Sequence, residues 1–373
     1  LDWFEEVLHT TSTKIFHNAM YDVSWIRSLG FYINGGIIDT MVAASLCDEN
    51  RWSFTLDSVG KDYIGMRKNE KLLQEAAKEW GINPKAEMWR LPAPFVGEYA
   101  EKDAEMTLKL WHALQHEIKK QDLWDVFNLE TNLFPCLVDM KFKGVRVDVA
   151  KAHAVKTQLT VTEGKLLRDI KKMAGFDVEI WAAASIAKAF EKAKLPYDRT
   201  EKGAPSFTKN FLATHPHELP KLINQAREIN KANTTFIDTI LKHEHKGRIH
   251  ADINQIRSDD GGTVTGRFSY SNPNLQQIPA RHKELGPLIR SLFIPEEKHT
   301  WGCFDYSQQE PRILVHFASL MKMEGTGSIV DAYNDGSADF HQMIADMAGI
   351  ERKQAKTINL GIMYGMGKNK LMA

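Results

Sequence analysis

Cysteine is scarce in this chain: there are three in 373 residues, Cys47, Cys136 and Cys303, none at metal-ligand spacing. That excludes a disulfide scaffold and a cysteine zinc site, and it fits free thiols in a reducing compartment. No apolar run approaches the length of a membrane span, and the opening LDWFEEVLHT lacks the layout of a signal peptide. The reading is a soluble, cytoplasmic protein with no membrane partner. An excess of one charge is also missing, with 48 basic and 48 acidic residues, so net charge does not announce a polyanionic partner. Repeats and low-complexity stretches are absent too. What remains is an ordinary globular composition, 43% hydrophobic and 26% charged, in a length that suits two or three domains. Lys151 to Asp260 carries 19 basic against 14 acidic residues, a mild excess that a solvated helix face would also show. The chain opens inside a plausible helix and stops at KNKLMA, so it reads as incomplete at both ends.

Along the chain, KIFHN (Lys14 to Asn18) predicts a short strand entering a helix over Ala19 to Ser28, ended by Gly30. Phe31 to Ile38 predicts a further strand. LPAPF breaks the pattern before a long helix from about Val96 to Lys120. This alternation predicts an α/β domain with a mixed sheet over residues 1–121. Asn128 to Lys143 is an amphipathic helix closed by Gly144 and followed by the strand Val145 to Asp148. Residues 151–245 read as mostly helical, with a loop over Leu195 to Ser206. Strands and turns follow from Arg248, and helix returns after Asp305.

Three constellations carry chemistry. HNAMYD sets Asn18 and Asp22 four apart, and YAEKD does the same for Tyr99 and Asp103, so each pair predicts one helix face. Two such helices converging offer oxygen ligands to a pair of divalent cations, as two-metal phosphodiester hydrolysis requires. Each pair alone is more often a solvated face. TVTGRFSYSNPNLQQIP (Thr263 to Pro279) gathers Arg267, Asn274, Gln276 and Gln277. These donors suit the minor-groove acceptors that every base pair presents, although the plainer reading is a loop with Asx turns. WGCFDYSQQEPRILVHFA reads as a buried strand ending at Asp305 and running into a helix. Ser307 and Glu310 match a capping box there, with Pro311 in the first turn. In ERKQAKTINLGIMYGMG, Arg352, Lys356, Leu360 and Tyr364 step by four, drifting about 40° per step on one loose helix side.

In their order and spelling these segments resemble family A DNA polymerases of the bacterial DNA polymerase I type. HNAMYDVSWIRSLG and YAEKDAEMTLKLW resemble the second and third motifs of the attached proofreading nuclease. The resemblance implies a ribonuclease H-like 3′–5′ exonuclease domain over 1–121 and a right-hand polymerase over 122–373. Within the latter it implies a thumb at about 128–247, part of the palm at about 248–320 and the start of the fingers at about 321–373. Asp22 and Asp103 would be metal ligands, Tyr99 would position the attacking water and Asn18 would orient the substrate. Asp305 would bind both catalytic Mg²⁺ ions, and Glu310 would block a ribose 2′-hydroxyl with Arg312 in support. Arg352, Lys356 and His341 would hold the triphosphate, and Tyr364 and Gly365 would lie at the templating base. Arg267, Asn274, Gln276 and Gln277 would touch duplex DNA, and Arg227 and Lys231, with Asn233, would grip its backbone from the thumb.

The implied cofactor is Mg²⁺ in both two-metal sites. The implied partners are primer–template DNA, deoxynucleoside triphosphates and replisome or processivity factors. Three residues depart from the pattern: Gln309 and Pro311 replace aliphatic residues, and Leu360 replaces an aromatic one. Leu360 removes stacking surface beside the sugar, which predicts altered dideoxynucleotide discrimination and leans toward a bacteriophage source in a bacterial cell. Nothing before His17 supplies the family's Asp-x-Glu motif, and no His-Asp-Glu follows Asp305, so the chain alone is expected to be inactive. Two rival readings stand beside this one: a non-catalytic DNA-binding remnant, and a single-subunit RNA polymerase, against which Glu310 and the nuclease motifs speak.

Overall fold

The structure is a computed structural model and describes residues 2–259, 261–280 and 282–368. It divides into two compact units, 1–298 and 299–373. Among the described residues no helix is long and apolar enough to cross a membrane.

The first unit begins with the helix Asp2–His9 and continues with two parallel strands, Lys14–Phe16 and Ile37–Asp39, in register Lys14↔Ile37 through Phe16↔Asp39. The helix Ala19–Ser28 lies between them, as the sequence predicts, and Gly30 follows at φ 91°. The expected mixed sheet is, among the described residues, this parallel pair. Only the end of Phe31 to Ile38 pairs, because Gly35 turns the chain tightly at φ 81°, where a Cβ would stand 2.5 Å from the Ser12 carbonyl oxygen. Helices therefore supply most of the core. Leu110, Leu114 and Met106 of the 28-residue helix Ala93–Lys120 are fully buried against Ala43, Ala44, Phe54 and Val59. Trp111 stacks on Phe127 at 5.3 Å, tying this core to the next helix, Trp124–Lys143.

Gly144 ends that helix at φ 63°, and a Cβ there would meet the Ile249 carbonyl at 2.6 Å. The chain then enters a four-stranded antiparallel sheet in the order Phe293–Ile294, Val145–Val147, Arg248–Ile249, Glu244–His245. Two long helices, Val149–Ala174 and Glu218–Lys231, rise from it. Around them Ile170, Ile186, Phe190, Leu212 and Ile223 form a second, separate core. A π-helical turn, Ala232–Ile237, joins the second helix to Asp238–His243. The predicted loop over Leu195 to Ser206 contains a minimal hairpin, Asp198–Arg199 with Pro205–Ser206. Past the sheet, Asp252–Asn254 pairs with Ser269–Ser271.

This hairpin region is stitched to the N-terminal helices by polar contacts. Lys141 pairs with Asp252 at 2.8 Å, and buried Gln255 donates to the Glu130 carbonyl oxygen at 2.7 Å. Arg257 donates to the Glu49 carbonyl oxygen at 3.2 Å, and Asp259 Oδ2 accepts the Phe54 N–H at 2.7 Å.

In the second unit the helices Gln309–Leu320 and Thr326–Asn334 pack on each other, as do Phe340–Ala348 and Arg352–Met363. Residues 301–306 form no strand, correcting the expectation of a buried one. A strand needs a neighbour for its N–H and C=O groups; no strand among the described residues pairs here, and Phe304 is 97% exposed. The Ser307–Glu310 capping box does not form either. The helix starts at Gln309 after Gln308 in the left-handed region at φ 53°. The Gln308 side chain is taken up instead by the Phe340 N–H at 3.0 Å and the Ala338 carbonyl oxygen at 3.0 Å.

Asp39 is a buried carboxylate that serves several backbone donors of the first unit. It is 9% exposed, and its carboxylate accepts N–H groups from Asn18 (3.0 Å), Ala19 (2.7 Å) and Met41 (2.8 Å). Asp39→Ala leaves three donors unpaired at two helix starts and should destabilise the first unit by about 3 kcal/mol. Urea unfolding followed by tryptophan fluorescence measures this, and a change below about 1 kcal/mol would refute it.

Candidate active site

The first unit contains an open cleft of about 1020 Å³ whose walls include His17, Asp22, Lys68, Tyr99, Asp103 and Asp259. The sequence-predicted pair Asp22 and Asp103 therefore shares one cavity. Asp22 sits in the first turn of Ala19–Ser28, while Asn18 is that helix's N-cap, left-handed at φ 69°, and not a residue of the same helical face. Its backbone has to turn there because Asp39 collects the N–H groups of both Asn18 and Ala19. Tyr99 and Asp103 do lie one turn apart on Ala93–Lys120.

Burial, and then repulsion from Asp39, pushes the Asp22 carboxyl up to about 6. Asp103 is divided between two environments: Oδ2 takes a hydrogen bond from Lys68 Nζ at 2.6 Å, whereas Oδ1 is buried without a hydrogen-bond partner. Lys68 also donates to the Tyr99 hydroxyl at 3.0 Å. Burial raises the Tyr99 phenol above its ordinary value; Lys68 opposes this and Asp103 adds to it. His17 Nε2 donates to the Phe54 carbonyl oxygen at 2.7 Å, and burial lowers its pKa.

Among the described residues no three His, Cys, Asp or Glu side chains are gathered closely enough to hold a metal ion. The residues present nonetheless fit a hard divalent cation in part. Asp103 Oδ1 is an unsatisfied buried anion oxygen, and Asp22 is a carboxyl whose ionised form a nearby cation would favour. The sequence reasoning missed Lys68, His17 and Asp259 in this cleft. Lys68 lies 35 positions before Asp103 and Asp259 lies in the polymerase-like stretch, so no periodicity connects them to the motifs.

In the second unit Asp305 is exposed and stands ahead of the helix Gln309–Leu320. Glu310 Oε1 accepts the Tyr364 hydroxyl at 2.6 Å, which joins two residues that the sequence singled out 54 positions apart. Arg352 Nε donates to Asp339 at 2.8 Å, and Asp339 in turn caps Phe340–Ala348 through the N–H groups of His341 and Gln342. Lys356 is exposed, Leu360 half-buried and Tyr364 exposed, so the row of four is not one solvent face. His341 is 3% exposed, with Asn359 Nδ2 3.2 Å from its Nδ1. Burial, then repulsion from Lys356 and Arg352, lowers its pKa. The contact joins the helices Phe340–Ala348 and Arg352–Met363. Arg312 is likewise engaged locally, donating to the Ser307 carbonyl oxygen at 3.0 Å and lying 4.6 Å over the Tyr333 ring. Gly365 follows Tyr364 at φ 78°.

Elsewhere in the first unit, Arg267 lies exposed before the strand Ser269–Ser271, and Asn274, Gln276 and Gln277 lie exposed after it. Asn274 caps its short 3-10 turn, and Gln276 donates to the Phe268 carbonyl oxygen at 2.9 Å. Lys231 is exposed and Arg227 half-buried. Its guanidinium donates to the carbonyl oxygens of Ile180 (2.5 Å) and Phe207 (2.8 Å) and lies 5.2 Å over the Trp181 ring. Asn233 is buried and donates to Thr160 at 3.0 Å. Both brace the helical region from within.

The raised Asp22 pKa gives stability a definite pH dependence. Below about pH 3 the carboxyl is protonated in the folded and unfolded states alike, and its contribution is complete. As pH rises from the ordinary value of 3.8 to about 6 the unfolded chain ionises while the folded state resists, and stability is lost. Asp22→Asn should therefore stabilise the metal-free protein by about 1–2 kcal/mol at pH 8, after discounting for partial exposure, and by nothing at about pH 3. Urea midpoints at the two pH values read this, and equal effects at both would refute it.

Comparison with known proteins places these geometries in a family. Residues 149–373 match the model of DNA polymerase family A, and residues 1–119 match a 3′–5′ exonuclease model. A DNA-directed DNA polymerase of Pseudomonas phage M6 is 38% identical over 96% of this chain and 58% of its own length. DNA polymerase DpoZ of Acinetobacter phage SH-Ab 15497 is 33% identical over 99% of this chain and 64% of its own. The chain thus spans about three fifths of the length of these curated relatives. The structure of the POL domain of Pol1 from M. smegmatis, in complex with DNA primer-template and dNTP, superposes with TM-score 0.76 at 22% identity. It covers 99% of this chain and 61% of that one, which shows a shared fold. The chain belongs to DNA polymerase family A and carries a 3′–5′ exonuclease segment ahead of its polymerase segment.

Proposed function

We propose that this chain is part of an enzyme that extends a DNA primer on a template and trims the 3′ end with an attached proofreading nuclease. The observation that carries the reading is the order of the two family matches in one chain. The cation-bearing helix Arg352–Met363 and its Tyr364–Glu310 contact support it. In this reading a ribonuclease H-like nuclease occupies 1–121, the thumb about 128–247, part of the palm about 248–320 and the start of the fingers about 321–373. Primer–template DNA, deoxynucleoside triphosphates and replisome factors are the partners, in a bacterial cell infected by phage.

The residues divide the work by charge. Arg352 and Lys356 offset the charge of the incoming triphosphate and align it for in-line attack by the primer 3′-hydroxyl. Glu310, held at 2.6 Å by the Tyr364 hydroxyl, stands against a ribose 2′-hydroxyl. Leu360 lines the sugar without an aromatic ring. Arg267, Asn274, Gln276 and Gln277 test base-pair geometry from the minor groove, and Lys231 takes backbone phosphate. In the nuclease cleft Tyr99 orients the attacking water, and Asn18 steadies the strand end. Mg²⁺, held in part by Asp305 in the polymerase segment and by Asp22 and Asp103 in the nuclease, would supply Lewis-acid activation of the attacking oxygen. The 373 residues contain no Asp-x-Glu before His17 and no His-Asp-Glu after Asp305. We therefore propose that the chain alone lacks both activities.

The test is primer extension by the completed reading frame with Mg²⁺ and four deoxynucleotides. Asp305→Ala should lower extension by about 10³-fold. A loss below tenfold would remove Asp305 from the metal site, and no extension by the unaltered protein despite primer–template binding would favour a non-catalytic remnant. In the same assay Glu310→Ala should raise ribonucleotide over deoxynucleotide incorporation by about 10²-fold. An unchanged ratio would refute the sugar gate.

A further inference from the structure

Lys68 reaches the nuclease cleft from the loop before the helix Lys71–Glu79 and is anchored there by its backbone N–H, which donates to Asp57 Oδ1 at 2.9 Å. Its ammonium stands 2.6 Å from Asp103 Oδ2, 3.0 Å from the Tyr99 hydroxyl and 5.0 Å from the centre of the Tyr99 ring. The two partners of the ion pair are 19% and 24% exposed, so water screens it less than a surface bridge. Burial disfavours the ammonium, but the hydrogen bonds to Asp103 and Tyr99 outweigh it and raise the Lys68 pKa. Only one oxygen of Asp103 is engaged in this way, and Oδ1 is left buried and unsatisfied.

We propose that Lys68 is a built-in cation of the nuclease cleft that shares Asp103 with a divalent cation, holding Oδ2 while Oδ1 is presented as a single-oxygen ligand. Two consequences follow from charge alone. A divalent cation at Oδ1 binds beside a fixed positive charge, so its affinity is set lower than the carboxylates alone would give. The Tyr99 oxygen already accepts from Lys68, which leaves its O–H to act as a donor. Lys68 is thus a positioning residue that acts through Asp103 and Tyr99. The inference rests on reading Asp103 as a cation ligand.

The test is Mn²⁺ binding to the full chain, read from the electron paramagnetic resonance signal of free Mn²⁺, with circular dichroism as the check on folding. Lys68→Met and Lys68→Gln remove the charge at similar length and should each tighten Mn²⁺ binding on the order of tenfold. Lys68→Arg keeps the charge and should stay within about twofold of the unaltered chain. A gain in the folded neutral variants and none in Lys68→Arg supports the inference; no gain in either neutral variant, or an equal gain in Lys68→Arg, overturns it. Asp103→Asn separates the two levels. If it leaves Mn²⁺ binding unchanged, the reading of Asp103 as a ligand fails. If it weakens binding while the neutral variants gain nothing, only the role of Lys68 fails.

Discussion

The segment that matches the exonuclease family depends on one buried carboxylate. Asp39 closes the second strand of the parallel pair and collects N–H groups from Asn18, Ala19 and Met41, so two helix starts converge on a single anion. Helix N-termini carry partial positive charge and unsatisfied donors, and a shared carboxylate satisfies both at once. The same anion lies close enough to help keep the Asp22 carboxyl reluctant to ionise. Asp22 thus lines the cleft as a carboxyl that a neighbouring anion disfavours, while Asp103, another of its carboxylates, is paired with Lys68 at 2.6 Å.

Much of this architecture was readable in the sequence where local physics decides. The helix Ala19–Ser28 and the stops at Gly30 and Gly144 follow from periodicity and from glycine's tolerance of positive φ. The Tyr99–Asp103 pair follows from helical spacing on a long uninterrupted helix. Local reading failed where distant partners decide. Residues 301–306 have strand-like composition and no strand beside them among the described residues. Ser307 and Glu310 have the spacing of a capping box, yet Gln308 is claimed by Phe340 and Ala338 some thirty residues away. The charge of Arg227 and His341 was visible in the sequence, while their partners Ile180, Phe207 and Asn359 were not. Glu310 and Tyr364 were singled out for different roles, and their 2.6 Å contact is one that spacing 54 positions apart could not show.

The cationic helix of the second unit is organised as a hierarchy. Asp339 both caps the neighbouring helix and holds Arg352, so the position of one cation is linked to the start of another element. The buried His341–Asn359 contact pins the two helices beneath the cations. The cations Arg352 and Lys356 thus stand on a floor already locked by hydrogen bonds, which limits the conformational freedom of the helix that carries them.

The hydrogen bond from the Phe54 N–H to Asp259 bears on modularity. Asp259 belongs to the stretch that matches the polymerase family, yet it lines the cleft of the nuclease and steadies the residue whose carbonyl receives His17. The two segments are therefore not beads on a string. A nuclease excised at residue 119, where its family match ends, would leave part of its own wall behind and expose a backbone donor that is paired here. Recombination between relatives would carry the same penalty, because a nuclease exchanged without residues 257–259 arrives with a seam cut through its active cleft.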